Sequence, residues 1–245
     1  MTARVERVLF YNLDNNRDTA QVNKEIKALL DLDSPLKERP AVVGFCEAFY
    51  SLNSYKGFTK VRNTKNKSRK NIAAYVREDL FGGDVKWHDL KETWSRTNPG
   101  ATGQHEPRSY VSFLLGQMQF IVLHQPPKQV DNAKAAQKEG IDLLVSLMKP
   151  KEDASDKQRS RPRIALGDYN KRKGEPSPGP DDLAERISGA NVANKIDTAV
   201  RRGDGSIKNE SYPEKIGGVT LKSDHGHAFR FDLSVPEKWW AIESG

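Results

Sequence analysis

Short apolar runs that stop abruptly at a carboxylate, an amide or an imidazole constrain this chain more than any other feature of its sequence. β-Branched and aromatic residues concentrate in VERVLFYNL, AVVGFCEAF, NIAAYVRED, VKWHDLKETW, SYVSFLL, MQFIVLHQ, RIALGDYN, KIDTAVRR and HAFRFDLSV, and these segments read as strands. Asn12 and Asp14 end the first, Glu47 ends AVVGFCE, His124 ends MQFIVLH, Asp168 and Asn170 end RIALGDYN, and Asp224 with His225 precedes the last. An unpaired charge in an apolar run is costly, so groups at such positions are either partnered or used. Ends of neighbouring strands can also converge on one cleft.

Gly116-Gln117, between SYVSFLL and MQFIVLHQ, has the length and leading glycine of a two-residue hairpin turn, so a mixed sheet with antiparallel neighbours is expected. Two amphipathic helices are predicted to pack on sheets. One carries Val22, Ile26, Leu29 and Leu30 on a face after an Asp18/Gln21 capping signal; the other carries Ile141, Leu144, Val145 and Met148 before Pro150. The polar stretches 149–163 and 171–182 read as long loops. With 245 residues at 36% apolar content, residues 1–245 are expected to form a single domain.

Carboxylate and amide oxygens without a thiolate cluster suit a hard divalent cation such as Mg²⁺ or Mn²⁺, which is completed by water and substrate phosphate oxygens. Metal-assisted attack on a phosphate is the chemistry this implies. Simpler readings accompany each residue: Asn12 and Asn170 as turn formers, Asp197 as a surface carboxylate, Arg108 as a solvated cation and His124 as a strand terminus. His225 and His227, two residues apart, raise a zinc site, but no other His or Cys segment supplies matching ligands. Cys46 alternates with Glu47 and reads as a small core residue.

FYNLD (10–14), VVGFCEA (42–48), PRSYVSF (107–113), IVLHQPP (121–127), IALGDYN (164–170), KIDTAV (195–200) and SDH (223–225) resemble, in order, motifs of the endonuclease/exonuclease/phosphatase superfamily. That superfamily includes pancreatic deoxyribonuclease and the exonuclease III-like abasic-site endonucleases. The resemblance implies an α/β fold: a two-sheet β-sandwich flanked by helices, in the DNase I-like four-layer arrangement. It also implies a metal held by Glu47 and Asn12, with Asp14 and Asp224 as further ligands. Asp168 would orient or deprotonate the attacking water, Asn170 would hold a phosphate oxygen, and His225 would contact the scissile phosphate with Asp197 fixing its tautomer. His124 would assist the leaving oxygen or hold the phosphate, and Arg108 would contact phosphate. A histidine at 124, where abasic-site endonucleases carry tyrosine, points away from specific abasic-site repair.

A net charge of +7 and six basic residues without an acid in KVRNTKNKSRKN (60–71) favour a long polyanion as substrate, DNA before RNA. A Mg²⁺-dependent nuclease acting as a monomer is the expectation. The alternatives are a phosphatase of a small phosphorylated molecule and a catalytically idle nucleic-acid-binding relative. No run approaches the length needed to span a bilayer, and the one cysteine fits a reducing compartment, so a cytoplasmic protein without membrane association is expected.

Overall fold

Along the first strand Val8 and Phe10 point to one side and Leu9 and Tyr11 to the other, and all four are buried. A strand buried on both faces needs a layer on each. The structure is a computed structural model. It describes residues 2–14, 17–65, 69, 71–91, 94–96, 104–105, 108–126, 130–131, 133–170, 183–184, 186, 191–192, 197–223 and 225–242.

Twelve strands make two six-stranded sheets. They are β1 (Ala3–Asn12), β2 (Val42–Cys46), β3 (Phe58–Arg62), β4 (Ile72–Arg77), β5 (Phe81–Asp89), β6 (Ser109–Leu115), β7 (Met118–His124), β8 (Arg163–Asp168), β9 (Asn191–Val192), β10 (Asp197–Arg202), β11 (Ser206–Ser211) and β12 (Phe229–Pro236). The first sheet has the order β11-β12-β1-β2-β4-β3 and the second β9-β10-β8-β7-β6-β5. Each sheet has one parallel pair near its middle, β1 with β2 and β8 with β7, and is otherwise antiparallel.

The inward faces share one core in which Val8, Phe10, Val42 and Ala74 meet Val111, Phe120, Val122 and Leu166. On the outer face of the first sheet lies α1 (Thr19–Leu30), through Val22, Ile26, Leu29 and Leu30. On the outer face of the second lies α2 (Ala133–Met148), through Ile141, Leu144, Val145 and Met148. The result is the four-layer α/β sandwich. Burying each of those aliphatic side chains is worth about 1.5–3 kcal/mol, against about 1 kcal/mol for a cap, so packing decides where the helices form.

Leu115 pairs with Met118 across the predicted hairpin, and Gly116 takes a φ of +54°. Half of the capping signal at Asp18 operates: its carboxylate accepts from the Gln21 backbone N–H at 3.0 Å, while the Gln21 side chain turns to Glu25.

The stretch 149–163 is not a plain loop. It contains α3 (Asp156–Ser160), whose Ser155 and Gln158 form a reciprocal capping box, and ends in the first residue of β8; apolar patterning does not reveal a helix held by its cap. The segment at 60–71 also departs from expectation. Its first residues belong to β3, Lys60 Nζ donates to Leu52 O at 2.7 Å, Arg62 Nη2 donates to Ala48 O at 2.7 Å, and Arg69 forks onto Asp89. Half of the six cations are therefore used within the protein, and residues 66–68 and 70 lie outside the described set. The stretch 171–182 is outside it too. VKWHDLKETW is divided between β5 and a separate short strand at Trp94–Arg96. No helix among the described residues is long and apolar enough to cross a membrane.

Candidate active site

Side chains alternate along a strand, so the parity that turns Val8, Phe10, Val42, Val122 and Leu166 into the core also turns Asn12, Cys46, His124 and Asp168 inward at the strand ends. The polar cluster lies at one end of the inter-sheet core. In the second sheet one row of the register lines up His124, Asp168 and Asp197. In the first, the corresponding row is Asn12, Cys46 and Ile72. Gly167 permits this close spacing, because a Cβ there would meet the Leu123 carbonyl oxygen at 2.1 Å.

Asp168 occupies the centre and is fully buried. Its Oδ1 accepts the Asn170 backbone N–H at 2.7 Å, and its Oδ2 lies 3.5 Å from His124 Nε2 and 3.8 Å from His225 Nε2. His225 Nδ1 is 2.8 Å from Asp197 Oδ2, so this histidine is oriented by a buried carboxylate and aims its other nitrogen toward Asp168. Burial pushes the Asp168 carboxyl up to about 8, Asp197 adds to the rise, and the positive charges of His225 and Arg108 oppose it. Burial likewise drives His124 well below the ordinary imidazole value, helped by Arg108 and His225, which makes it neutral at physiological pH.

Asn71 faces His124 Nδ1 with its Nδ2 at 3.0 Å and its Oδ1 at 3.3 Å, and the shorter contact favours the tautomer with the proton on Nε2. The Asn71 Oδ1 accepts the Glu47 backbone N–H at 3.1 Å, which directs Nδ2 to His124 Nδ1 at 3.0 Å. His124 Nδ1 is then an acceptor, and Nε2 carries the proton toward Asp168. Asn71 escapes the strand-end pattern because it precedes its strand. A polar residue between a basic segment and an apolar run is the only signal the sequence offers.

On the facing sheet Asn12 Nδ2 lies 3.5 Å from Glu47 Oε1, and Asn12 Oδ1 accepts the Asp14 backbone N–H at 2.9 Å. Glu47, Asp14 and Asn170 all adopt left-handed backbone, with φ of 52°, 52° and 50°. This conformation turns each chain sharply as it leaves its sheet, and it recurs at functional sites. Asn170 Nδ2 spends one hydrogen on Gln125 O at 2.6 Å and keeps a second. Arg108 stands half-buried just before β6.

Tyr11 holds the segment that bears His225. Its hydroxyl accepts the backbone N–H groups of Lys222 and Ser223 at 3.1 and 3.0 Å and donates to the buried Glu25 carboxylate at 2.7 Å, which Arg17 neutralises. Asp224 lies outside the described residues. His227 packs edge-on against Tyr212, and no cluster of potential ligands among the described residues includes it.

Among the described residues two groups bring three potential ligands together: Asp168 with Asp197 and His225, and Cys46 with His124 and Asp168. Cys46 is the small core residue expected, and the second group shows that it also borders the site. It is buried in the inter-sheet core and also faces the site, since its parity is that of Asn12 and not of Glu47. Burial and the neighbouring Asp168 raise its thiol well above the ordinary value, so it is no thiolate nucleophile.

No protein-family model matches the sequence, and no curated protein matches it. Solved structures do. An endonuclease/exonuclease/phosphatase family protein from Bacteroides thetaiotaomicron superposes with a TM-score of 0.64 at 16% identity, over 96% of this chain and 100% of that one. TDP2 from D. rerio, complexed with a single-strand DNA product, gives 0.62 at 11% identity over 95% and 99%. The mannosyl-6-phosphatase Bt3783 of Bacteroides thetaiotaomicron gives 0.57 at 15% over 94% and 100%. The chain has the endonuclease/exonuclease/phosphatase fold.

Proposed function

With that fold as the premise, we propose that the protein is a divalent-metal-dependent phosphodiesterase that hydrolyses nucleic acid, DNA before RNA. The observation that carries this reading is the convergence on Asp168: a buried carboxylate between two imidazoles, one oriented by Asp197, opposite an oxygen-bearing pair on the other sheet.

Glu47 and Asn12, with Asp14 and Asp224, would hold Mg²⁺ or Mn²⁺. Their oxygen-only donor set fits a hard cation, which when bound neutralises charge on the phosphoryl oxygens. Asp168, once ionised, accepts a proton from water as the water oxygen bonds to phosphorus. Asn170 offers its remaining amide hydrogen to a non-bridging oxygen. His124, as a neutral Nε2–H donor, and Arg108 stabilise the same charge. His225, its Nδ1–H held by Asp197, presents a protonated Nε2 to the scissile phosphate and gives that proton to the departing oxygen.

Nucleic acid as substrate is supported by the net charge of +7 and by the likeness to a DNA-product complex; the cations spent inside the segment 60–71 detract from it. A small phosphorylated substrate is the second reading, supported by the likeness to a sugar phosphatase. Supercoiled plasmid, linear duplex, single-stranded DNA, RNA and a panel of sugar phosphates, each with Mg²⁺, Mn²⁺ or EDTA, separate the two. Metal-dependent scission of a polymer is expected. Turnover of sugar phosphates with all polymers intact overturns the nuclease reading in favour of the second.

A further inference from the structure

Cys46 is the only cysteine of the chain, and nothing in the proposed hydrolysis uses it. Its Sγ, a ring nitrogen of His124 and a carboxylate oxygen of Asp168 lie within 4.8 Å of one another, and the three residues are 0%, 2% and 0% exposed. Asp168 Oδ2 is buried, has no hydrogen-bond partner among the described residues and stands 3.5 Å from His124 Nε2. His124 Nδ1 is engaged by Asn71, which leaves Nε2 as the nitrogen facing the cluster.

We propose that Cys46, His124 and Asp168 form a second cation site, taking thiophilic ions such as Zn²⁺ and Cd²⁺, at which the bound ion inhibits the enzyme. The inhibition, though not the binding, rests on the phosphodiesterase reading. One sulfur, one imidazole nitrogen and one carboxylate oxygen are a three-ligand zinc set with a fourth position for water. Sulfur separates this site from the all-oxygen donors of Asn12 and Glu47: Mg²⁺ has little affinity for it, whereas zinc and cadmium favour it. Occupancy releases the Cys46 thiol proton and any proton on the Asp168 carboxyl to solvent, and moves the His124 proton to Nδ1, where Asn71 Oδ1, 3.3 Å away, accepts it. Asp168 and His124 are then both engaged as ligands and withdrawn from the phosphate, which gives inhibition without displacement of the activating ion.

Because the chain has one thiol, cadmium titration of the metal-free protein reads the site directly: any thiolate-to-cadmium absorption in the ultraviolet arises at Cys46. The proposal expects the band to saturate at one ion per chain in the wild type, to vanish in Cys46→Ala, and to need at least about tenfold more cadmium in His124→Gln. In the Mg²⁺-supported assay Cys46→Ala is expected to keep the wild-type rate and to tolerate at least about tenfold more zinc. Absence of the band from folded wild type, an unchanged cadmium titration in His124→Gln, or equal zinc sensitivity of wild type and Cys46→Ala overturns it. The absorption needs no catalysis, so failure of the site and failure of the phosphodiesterase reading give different results.

Discussion

The two sheet ends that meet at the site are built differently. The first presents Asn12 beside the half-buried Glu47 and Asp14, at positions where the backbone turns out of the sheet. The second presents Asp168, Asp197 and His124, all but completely buried and aligned in one register row. Oxygen donors on a half-open edge suit a cation that keeps part of its water. A closed row of titratable groups suits the placement of protons, because burial couples each group's charge to its neighbours. On the proposed reading, the difference gives cation binding to one sheet and proton transfer to the other.

Substitutions on each side should therefore fail in distinguishable ways. Glu47→Gln is expected to lower the rate by about 10²–10³ and to recover part of it at high Mg²⁺, the behaviour of a weakened cation site. Asp197→Asn should cost about 10²–10⁴, with no recovery at any Mg²⁺ concentration, because it misorients His225. Equal metal rescue of both variants, measured as rate against Mg²⁺, breaks the division.

Asn71 joins the two sides, touching the Glu47 backbone and the His124 ring. Asn71→Asp replaces the amide donor with an anion, and the expected result is a His124 titration moved upward in NMR, with a smaller rate loss than at Asp197. An unmoved titration removes Asn71 from control of the tautomer. Tyr11→Phe leaves the Lys222 and Ser223 N–H groups without their acceptor, which should cost about 1–3 kcal/mol in denaturant unfolding and a few-fold in rate.

A separate effect concerns stability alone. The folded carboxyl of Asp168 titrates near 8, above its unfolded value of about 3.9, so its contribution is full below pH 4 and is lost as pH rises through 8. Asp168→Asn lacks that loss. The metal-free variant should melt above wild type at pH 8–9, by about 2–4 °C per kcal/mol relieved, with the gap closing toward pH 4. A gap independent of pH contradicts the buried, proton-holding description of this sheet end.

Much of this arrangement was legible in the chain. Asn12, Glu47, His124, Asp168 and Asn170 stand out because polar groups interrupt apolar strand patterns, and Asp168 and Asp197 prove to be register partners. What did not show has physical causes. Asn71 acts from before its strand. Cys46 reads as core by alternation, and only the second sheet brings His124 and Asp168 to it. The strand Phe58–Arg62 carries lysine and arginine on a half-buried face, where they donate to the carbonyls of Leu52 and Ala48, which strand patterning does not reveal. α3 depends on a local cap and carries no buried residue to mark it.

The most direct test of the account is the single-turnover rate of phosphodiester hydrolysis with saturating Mg²⁺, for wild type and Asp168→Asn between pH 5 and 9. The wild-type rate should climb about tenfold per pH unit while Asp168 ionises and level off at or below about 8, since a bound cation nearby favours the carboxylate. The variant should be slower by about 10²–10⁴ and lack that limb. A variant that hydrolyses as fast as wild type, with the same pH dependence, would contradict the central place given to Asp168.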